Sequence, residues 1–190
     1  MMKAVVLCGG ESKRMGSDKG LLPIATHTWA AHAFRKLEAL GIPVFVSLNK
    51  SQVNAYRQHF SEELLVIDQV DAKGPLTGLL SAHLNHPEDD LLFLACDMTE
   101  MDTGTLQHLK DSTAAFPGYD CYVYTHEDFI EPLCAVYSSA HLKKIMGDLN
   151  SGHLSGFSLH KMIKQGNYKA LPVKDMEKFN NHNSAPIKPA

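Results

Sequence analysis

Nothing in this 190-residue chain approaches the ~20 consecutive apolar residues of a membrane span, and the apolar run at its start, Ala4 to Leu7, is too short for a signal-peptide core. Excess positive charge is missing as well. Eighteen Lys and Arg stand against 21 Asp and Glu, for a net charge of -3, so no basic field exists to neutralise a nucleic-acid backbone. The charged groove with interleaved aromatics used by single-strand binders is likewise absent. Cysteines are few: Cys8, Cys96, Cys121 and Cys134 lie far apart without a C-x-x-C pair, so zinc is not indicated. They read as reduced, buried, small hydrophobes. Eleven histidines occur without H-E-x-x-H or another ligand pair, and the chain has no internal repeat or low-complexity linker. The expectation is a soluble, cytoplasmic protein with no nucleic-acid or membrane partner, whose anionic ligands, if any, are held by local groups.

What is present is ordinary globular composition, 44% hydrophobic and 21% charged, at a length suited to a single domain over 1–190. Short β-branched or apolar runs at 4–7, 44–46, 64–67 and 91–95 alternate with segments of helical spacing at 28–40, 52–60, 76–84 and 103–112. Alternation of this kind predicts parallel strands joined by right-handed crossovers, hence a three-layer α/β/α Rossmann-like sandwich. Later, 120–125 and 133–137 read as strands with no helix between them, which makes the central sheet mostly parallel but mixed. Helices are expected at 141–149 and 155–165 and a last strand at 168–173, with the chain frayed after about residue 184.

Ligands of open α/β sheets bind beyond the carboxyl ends of the strands, and the unusual residue clusters fall there. The first is LCGGESKRMGSDKGLL, Leu7 to Leu22. Gly9 and Gly10 allow backbone amides to turn towards an anion, while Arg14 offers a fork for phosphate oxygens and Lys19 a mobile point charge. No G-x-G-x-x-G occurs, and the spacing from Gly10 to Gly16, followed by Ser17, breaks the G-x-x-x-x-G-K-[ST] pattern. Asp97, just beyond the strand at 91–95, is suited to anchoring Mg²⁺, which takes one or two carboxylates together with substrate phosphates. The alternative is that it caps the helix beginning near Asp102 or Thr103.

The Leu7–Leu22 segment resembles L-A-G-G-x-x-x-R-M-G-x-D-K-x-L-L, the signature of the nucleotidyltransferase superfamily, and its D-K-G-L-L ending is most similar to the molybdenum cofactor guanylyltransferase family. Lys73 to Leu79, KGPLTGL, resembles that family's G-P-L-x-G-[LM]; LACD ending at Asp97 resembles C-D-x-P; and Phe179 to Asn183 resembles F-x-N-x-N. The four matches occur in the family's order. Cys8 replaces the usual Ala, Met98 and Thr99 follow Asp97 where Thr-Pro is common, and Ser47, two residues before Asn49, stands where some members carry a nucleotide-binding Asn.

The resemblance implies Mg²⁺-dependent transfer of GMP from GTP to molybdopterin, with molybdoenzymes or their chaperones as further partners. Carried over residue by residue, it makes Arg14, Lys19 and Asp97 catalytic, with Asp97 on the metal. Leu7, Cys8, Gly9, Gly10, Ser47, Asp68, Gly74 and Pro75 would contact the nucleotide, and Asn181 and Asn183 would support the acceptor or metal. Lys161 and Lys164 have a spacing that suits either a pterin phosphate or a solvated helix face. Three alternatives remain at this point: CTP as donor, a sugar phosphate as acceptor, or a catalytically inactive nucleotide-binding module.

Overall fold

A computed structural model describes residues 1–9 and 18–181. Its elements are β1 (Met2–Leu7), β2 (Pro23–Ile24), β3 (His27–Thr28), α1 (Trp29–Glu38), β4 (Val44–Leu48), α2 (Val53–Tyr56) and β5 (Leu65–Ile67), followed by α3 (Pro75–Asn85) and β6 (Asp90–Ala95). The second half comprises α4 (Thr103–Ala115), β7 (Cys121–His126), β8 (Phe129–Tyr137), α5 (Ser139–Asn150), α6 (Leu159–Gln165) and β9 (Tyr168–Pro172).

Seven strands form one sheet in the order β5-β4-β1-β6-β8-β7-β9. All neighbours are parallel except β8, which runs antiparallel to both β6 and β7. The mixed sheet expected from the sequence is therefore present. Strands β1 and β6 are apolar along most of their length because helices cover both faces. On one face Ala4, Val6 and Leu92 pack with Leu37 of α1, Leu106 of α4 and Tyr56 of α2. On the other, Val5, Leu7 and Phe93 meet Leu79 of α3, Leu142 of α5 and Ile163 of α6. Helix α3 lies very close to the sheet: a Cβ on Gly78 would come within 2.5 Å of Ser47 Oγ and 2.8 Å of Leu7 Cδ1, so only glycine fits.

Polar side chains define several helix starts. Thr28 accepts from the Ala31 amide at 3.2 Å, Asp102 from Thr105 at 2.6 Å, and Ser138 from His141 at 3.2 Å. Two expected helices are shorter than their apolar spacing suggests. Of 52–60, only Val53–Tyr56 is α-helical, because the amides of Gln58 and His59 reach back three residues and tighten the last turn. Of 155–165, helix begins only at Leu159, where Ser158 caps it. The β2–β3 hairpin was not expected; its two-residue strands are too short to show a period.

No helix among the described residues is long and apolar enough to cross a membrane. The four cysteines are free and buried.

Candidate active site

The carboxyl ends of β1, β4, β5 and β6 share one rim, and the loops leaving them carry the charged residues singled out above. Lys19 opens a 3-10 turn, Lys19–Leu21, capped by Asp18. Three donors hold the Asp18 carboxylate: Oδ1 accepts from the Gly20 amide and the Tyr56 hydroxyl, each at 3.0 Å, and Oδ2 from Gln52 Nε2 at 2.6 Å. Gln52 also donates to the Cys8 carbonyl at 3.0 Å and accepts from the Asn49 amide at 2.8 Å. One side chain thus ties the loop after β1, the loop after β4 and the turn bearing Lys19. Gly20 is required at this junction, since a Cβ would fall 2.0 Å from the Tyr56 hydroxyl.

From this turn Lys19 Nζ reaches Asp97 Oδ2 at 3.3 Å. Both side chains keep some solvent access, 24% and 17% respectively. Asp97 is fixed from below. The Cys96 amide donates to the Leu7 carbonyl at 3.1 Å, Lys36 Nζ donates to the Thr99 carbonyl at 2.6 Å, and Met98 and Met101 are buried. Because Asp102 caps α4, Asp97 is not consumed as a helix cap.

Beside this pair, on the β4–β5 side of β1, lies a cleft of about 500 Å³. Leu7, Gly9, Asn49, Asp68, Lys73 and Thr77 line it, together with the N-terminal turn of α3. Gly74, the N-cap of α3, offers no side-chain acceptor to the first amides of that helix. Asp68 is half-buried, and burial pushes its carboxyl up from the ordinary carboxylate range. The nearby Ser47 hydroxyl lowers it in part but forms no hydrogen bond of ordinary geometry, and Asp68 Oδ1 is a buried acceptor without a partner.

Not every residue carried over from the family signature faces this space. Ser47 is fully buried beneath Gly78, because strand alternation turns its side chain into the α3 packing face; Asn49 lines the cleft instead. The Ser47 carbonyl still shapes the loop, accepting from the Cys8 and Gly9 amides at 2.9 and 3.1 Å. Cys8 is buried, its thiol pushed well up by that burial and by its neighbour Cys96. Pro75 opens α3 without lining the cleft, whereas Gly74 does line it.

Asn181 is exposed, just past a 3-10 turn, Met176–Phe179, that Phe179 anchors against Tyr124 and Phe129. Lys161 and Lys164 are exposed on α6, as a solvated face requires. Gly10, Arg14 and Asn183 lie outside the described residues.

Sequence reasoning passed over Asp18, Lys73 and Glu131. The first two sit inside the motifs quoted above. Glu131 had its own signal, a lone acid within the apolar strand FIEPLCAVY. It is 3% exposed, and its carboxyl is pushed up to about 7 by burial, eased by the Leu133 amide and raised further by the charge on Asp97.

A second cavity, about 280 Å³, lies at the ends of β7 and β9 beside the start of α4. Its polar groups satisfy one another: Asp102 pairs with Lys178, and His108 with the Tyr124 hydroxyl at 2.9 Å. Among the described residues, no group of three or more His, Cys, Asp or Glu is arranged to hold a metal ion.

An ammonium and a carboxylate at the strand ends, with a cleft on the other side of β1 lined by glycines, Asp68 and Lys73, fit the class of nucleotidyltransferases. Residues 4–165 match the family described as the MobA-like NTP transferase domain. The molybdenum cofactor guanylyltransferase of Syntrophotalea carbinolica is 32% identical over 84% of this chain and 74% of its own length. That of Pseudomonas fluorescens is 29% identical over 80% and 74% respectively. The crystal structure of molybdopterin-guanine dinucleotide biosynthesis protein A from Archaeoglobus fulgidus superimposes with a TM-score of 0.77, covering 96% of this chain and 93% of that one at 21% identity. The chain belongs to the MobA-like NTP transferase family and is a nucleotidyltransferase.

The Gln52 junction yields a prediction for this enzyme. Leaving buried polar partners unmatched costs about 1–3 kcal/mol, so Gln52→Ala is expected to lose stability of that order in urea unfolding. Turnover should fall as well, because Asp18 no longer fixes the turn that aims Lys19. Turnover equal to wild type would show that the turn holds its geometry without Gln52.

Proposed function

We propose that the protein transfers GMP from GTP to the terminal phosphate of molybdopterin, releasing pyrophosphate and forming a guanine dinucleotide cofactor. The observation that carries this reading is the Lys19–Asp97 pair, 3.3 Å apart at the strand ends. A triphosphate extending from the cleft across the end of β1 would meet it.

Base choice rests on Asp68. Guanine presents N1–H and an amino group on one edge, both donors, to which the Asp68 carboxylate lining the cleft, with its Oδ1 a buried acceptor without a partner, is complementary. Cytosine offers acceptors at the equivalent positions. The same carboxylate would then face them with no proton between.

In the reaction, an oxygen of the acceptor phosphate forms a bond to the α-phosphorus as the bond from the α-phosphorus to the β-bridging oxygen breaks. The electron pair leaves with pyrophosphate. A phosphate monoester, with its second pKa of about 6, is already largely ionised near neutral pH, so no general base is needed. This agrees with the described residues of the rim, which include no nucleophile–base pair. Lys19 neutralises charge gathering on the departing oxygens, and the loop after β1 together with the first amides of α3 orients the triphosphate.

A divalent cation fits the donor set. Hard oxygen ligands are what Mg²⁺ takes, and one or two carboxylates suffice because phosphates and water complete its shell. Asp97 would hold it; when bound, it supplies charge neutralisation on the phosphates. Arg14, Gly10 and the asparagines Asn181 and Asn183 are proposed to contact the substrates, as in the family signature. Reduced, buried cysteines suit a cytoplasmic setting.

The test is to incubate the purified protein with Mg²⁺, molybdopterin in its molybdenum form and each nucleoside triphosphate in turn, following pyrophosphate release. Release with GTP alone is expected. Productive use of CTP, or of a sugar phosphate in place of molybdopterin, would replace this reading with one of its rivals, and no release with any combination would leave a nucleotide-binding module. Asp68→Asn should narrow the preference for GTP over CTP by about 1–3 kcal/mol, roughly tenfold to a hundredfold, the range for losing a bidentate base contact.

A further inference from the structure

We propose that Glu131 is a second carboxylate ligand of the divalent cation at Asp97, an inference that rests on the reading of Asp97 given above.

The antiparallel ladder between β6 and β8 pairs Leu91 with Tyr137, Leu92 with Val136, Phe93 with Ala135 and Leu94 with Cys134. The ladder runs to Leu94 and Cys134; Asp97 lies three residues beyond Leu94 and Glu131 three residues before Cys134, so both carboxylates stand at the same end of neighbouring strands. The turn that closes with the Met98 amide on the Ala95 carbonyl holds Asp97 at that end of the sheet. The charge of Asp97 is felt at Glu131, which agrees with that placement.

The side chain is half-satisfied. Oε1 accepts from the Leu133 amide at 2.7 Å, while Oε2 has no hydrogen-bond partner among the described residues. A glutamate side chain only 3% exposed, with one carboxylate oxygen still open, is suited to meeting something positively charged there. Nearby strand positions hold apolar residues instead, Ile130 and Leu133. A cation carrying triphosphate oxygens at Asp97 would supply the missing partner. Two carboxylates, phosphate oxygens and water make up the octahedral shell Mg²⁺ prefers.

The experiment uses Mn²⁺ as the probe, bound with GTP to the full-length protein in the absence of acceptor. Protein enriched with glutamate carrying ¹³C at the side-chain carboxyl is examined by electron–nuclear double resonance. A ¹³C coupling to Mn²⁺ is expected in the wild type. It should vanish in Glu131→Gln, whose complex with GTP should also bind Mn²⁺ at least about tenfold more weakly. If Glu131→Gln does not fold, Glu131→Asp serves, since it too removes the labelled carboxyl from this position. No coupling in the wild type, or a coupling that persists in the variant, overturns the proposal.

Asp97→Asn separates the two readings. Unchanged Mn²⁺ binding in that variant would refute the metal role of Asp97 itself. Loss of Mn²⁺ there, with no glutamate coupling in the wild type, would refute only the role of Glu131.

Discussion

Asp97→Ala is expected to lower turnover by at least about 10²–10³-fold, equivalent to about 2.7–4 kcal/mol of transition-state stabilisation, while the fold stays intact. The structural half of this expectation follows from what Asp97 does not do. It caps no helix, because Asp102 holds that position with a 2.6 Å bond to the Thr105 amide. The turn it belongs to is anchored by Met98, Met101 and the Lys36–Thr99 contact. Truncation therefore removes a rim carboxylate and little else, and circular dichroism and thermal melting should change only slightly. The catalytic half follows from charge. In the proposed mechanism, a cation at the phosphates loses its protein anchor without Asp97. Steady-state pyrophosphate release at saturating Mg²⁺ is the measurement, and near-normal turnover there would remove Asp97 from the reaction.

Why these residues could be found in the sequence while others could not is a matter of where their signals reside. Parallel strands buried on both faces must be apolar throughout, so β1 and β6 declare themselves as short runs, and charged residues immediately beyond them, such as Asp97, stand out at the rim. Lys19 is legible for a similar reason, as a cation in a glycine-rich loop leaving β1. Ser47 misleads because a motif comparison carries no side-chain direction. Strand alternation decides whether a residue faces the cleft or the α3 packing face, and the 2.5 Å approach at Gly78 shows that Ser47 takes the second. Asp18 is hidden differently. Its partners Gln52 and Tyr56 come from a segment 34 and 38 residues away whose helical pattern is only partly realised, so nothing local announces the network. Glu131 was visible as an anomaly, an acid among Ile, Pro and Leu, but its meaning depends on the register of β8 against β6, which hydrophobic spacing does not give.

Lys19→Ala should also cost at least about 10²-fold in turnover, and the distribution of that loss between kcat and KM reports when its charge matters. A lysine that merely gathers the triphosphate contributes equally before and during bond breaking, so its removal would raise KM for GTP and leave kcat alone. Lys19 is placed for the later role. Its turn is held by Asp18, Gln52 and Tyr56, and its ammonium stands 3.3 Å from Asp97, where the proposed mechanism has charge develop on pyrophosphate. The loss is therefore expected mainly in kcat. Lys19→Arg tests geometry separately from charge. Guanidinium keeps the positive charge but spreads it over a planar fork on a longer head group, and the turn around Gly20 leaves no slack for repositioning, since even a methyl group there would collide with the Tyr56 hydroxyl. Partial rescue by arginine, with kcat still well below wild type, is the expected result. Full rescue would reduce Lys19 to a diffuse source of charge, and an unchanged kcat in Lys19→Ala would assign it to binding alone.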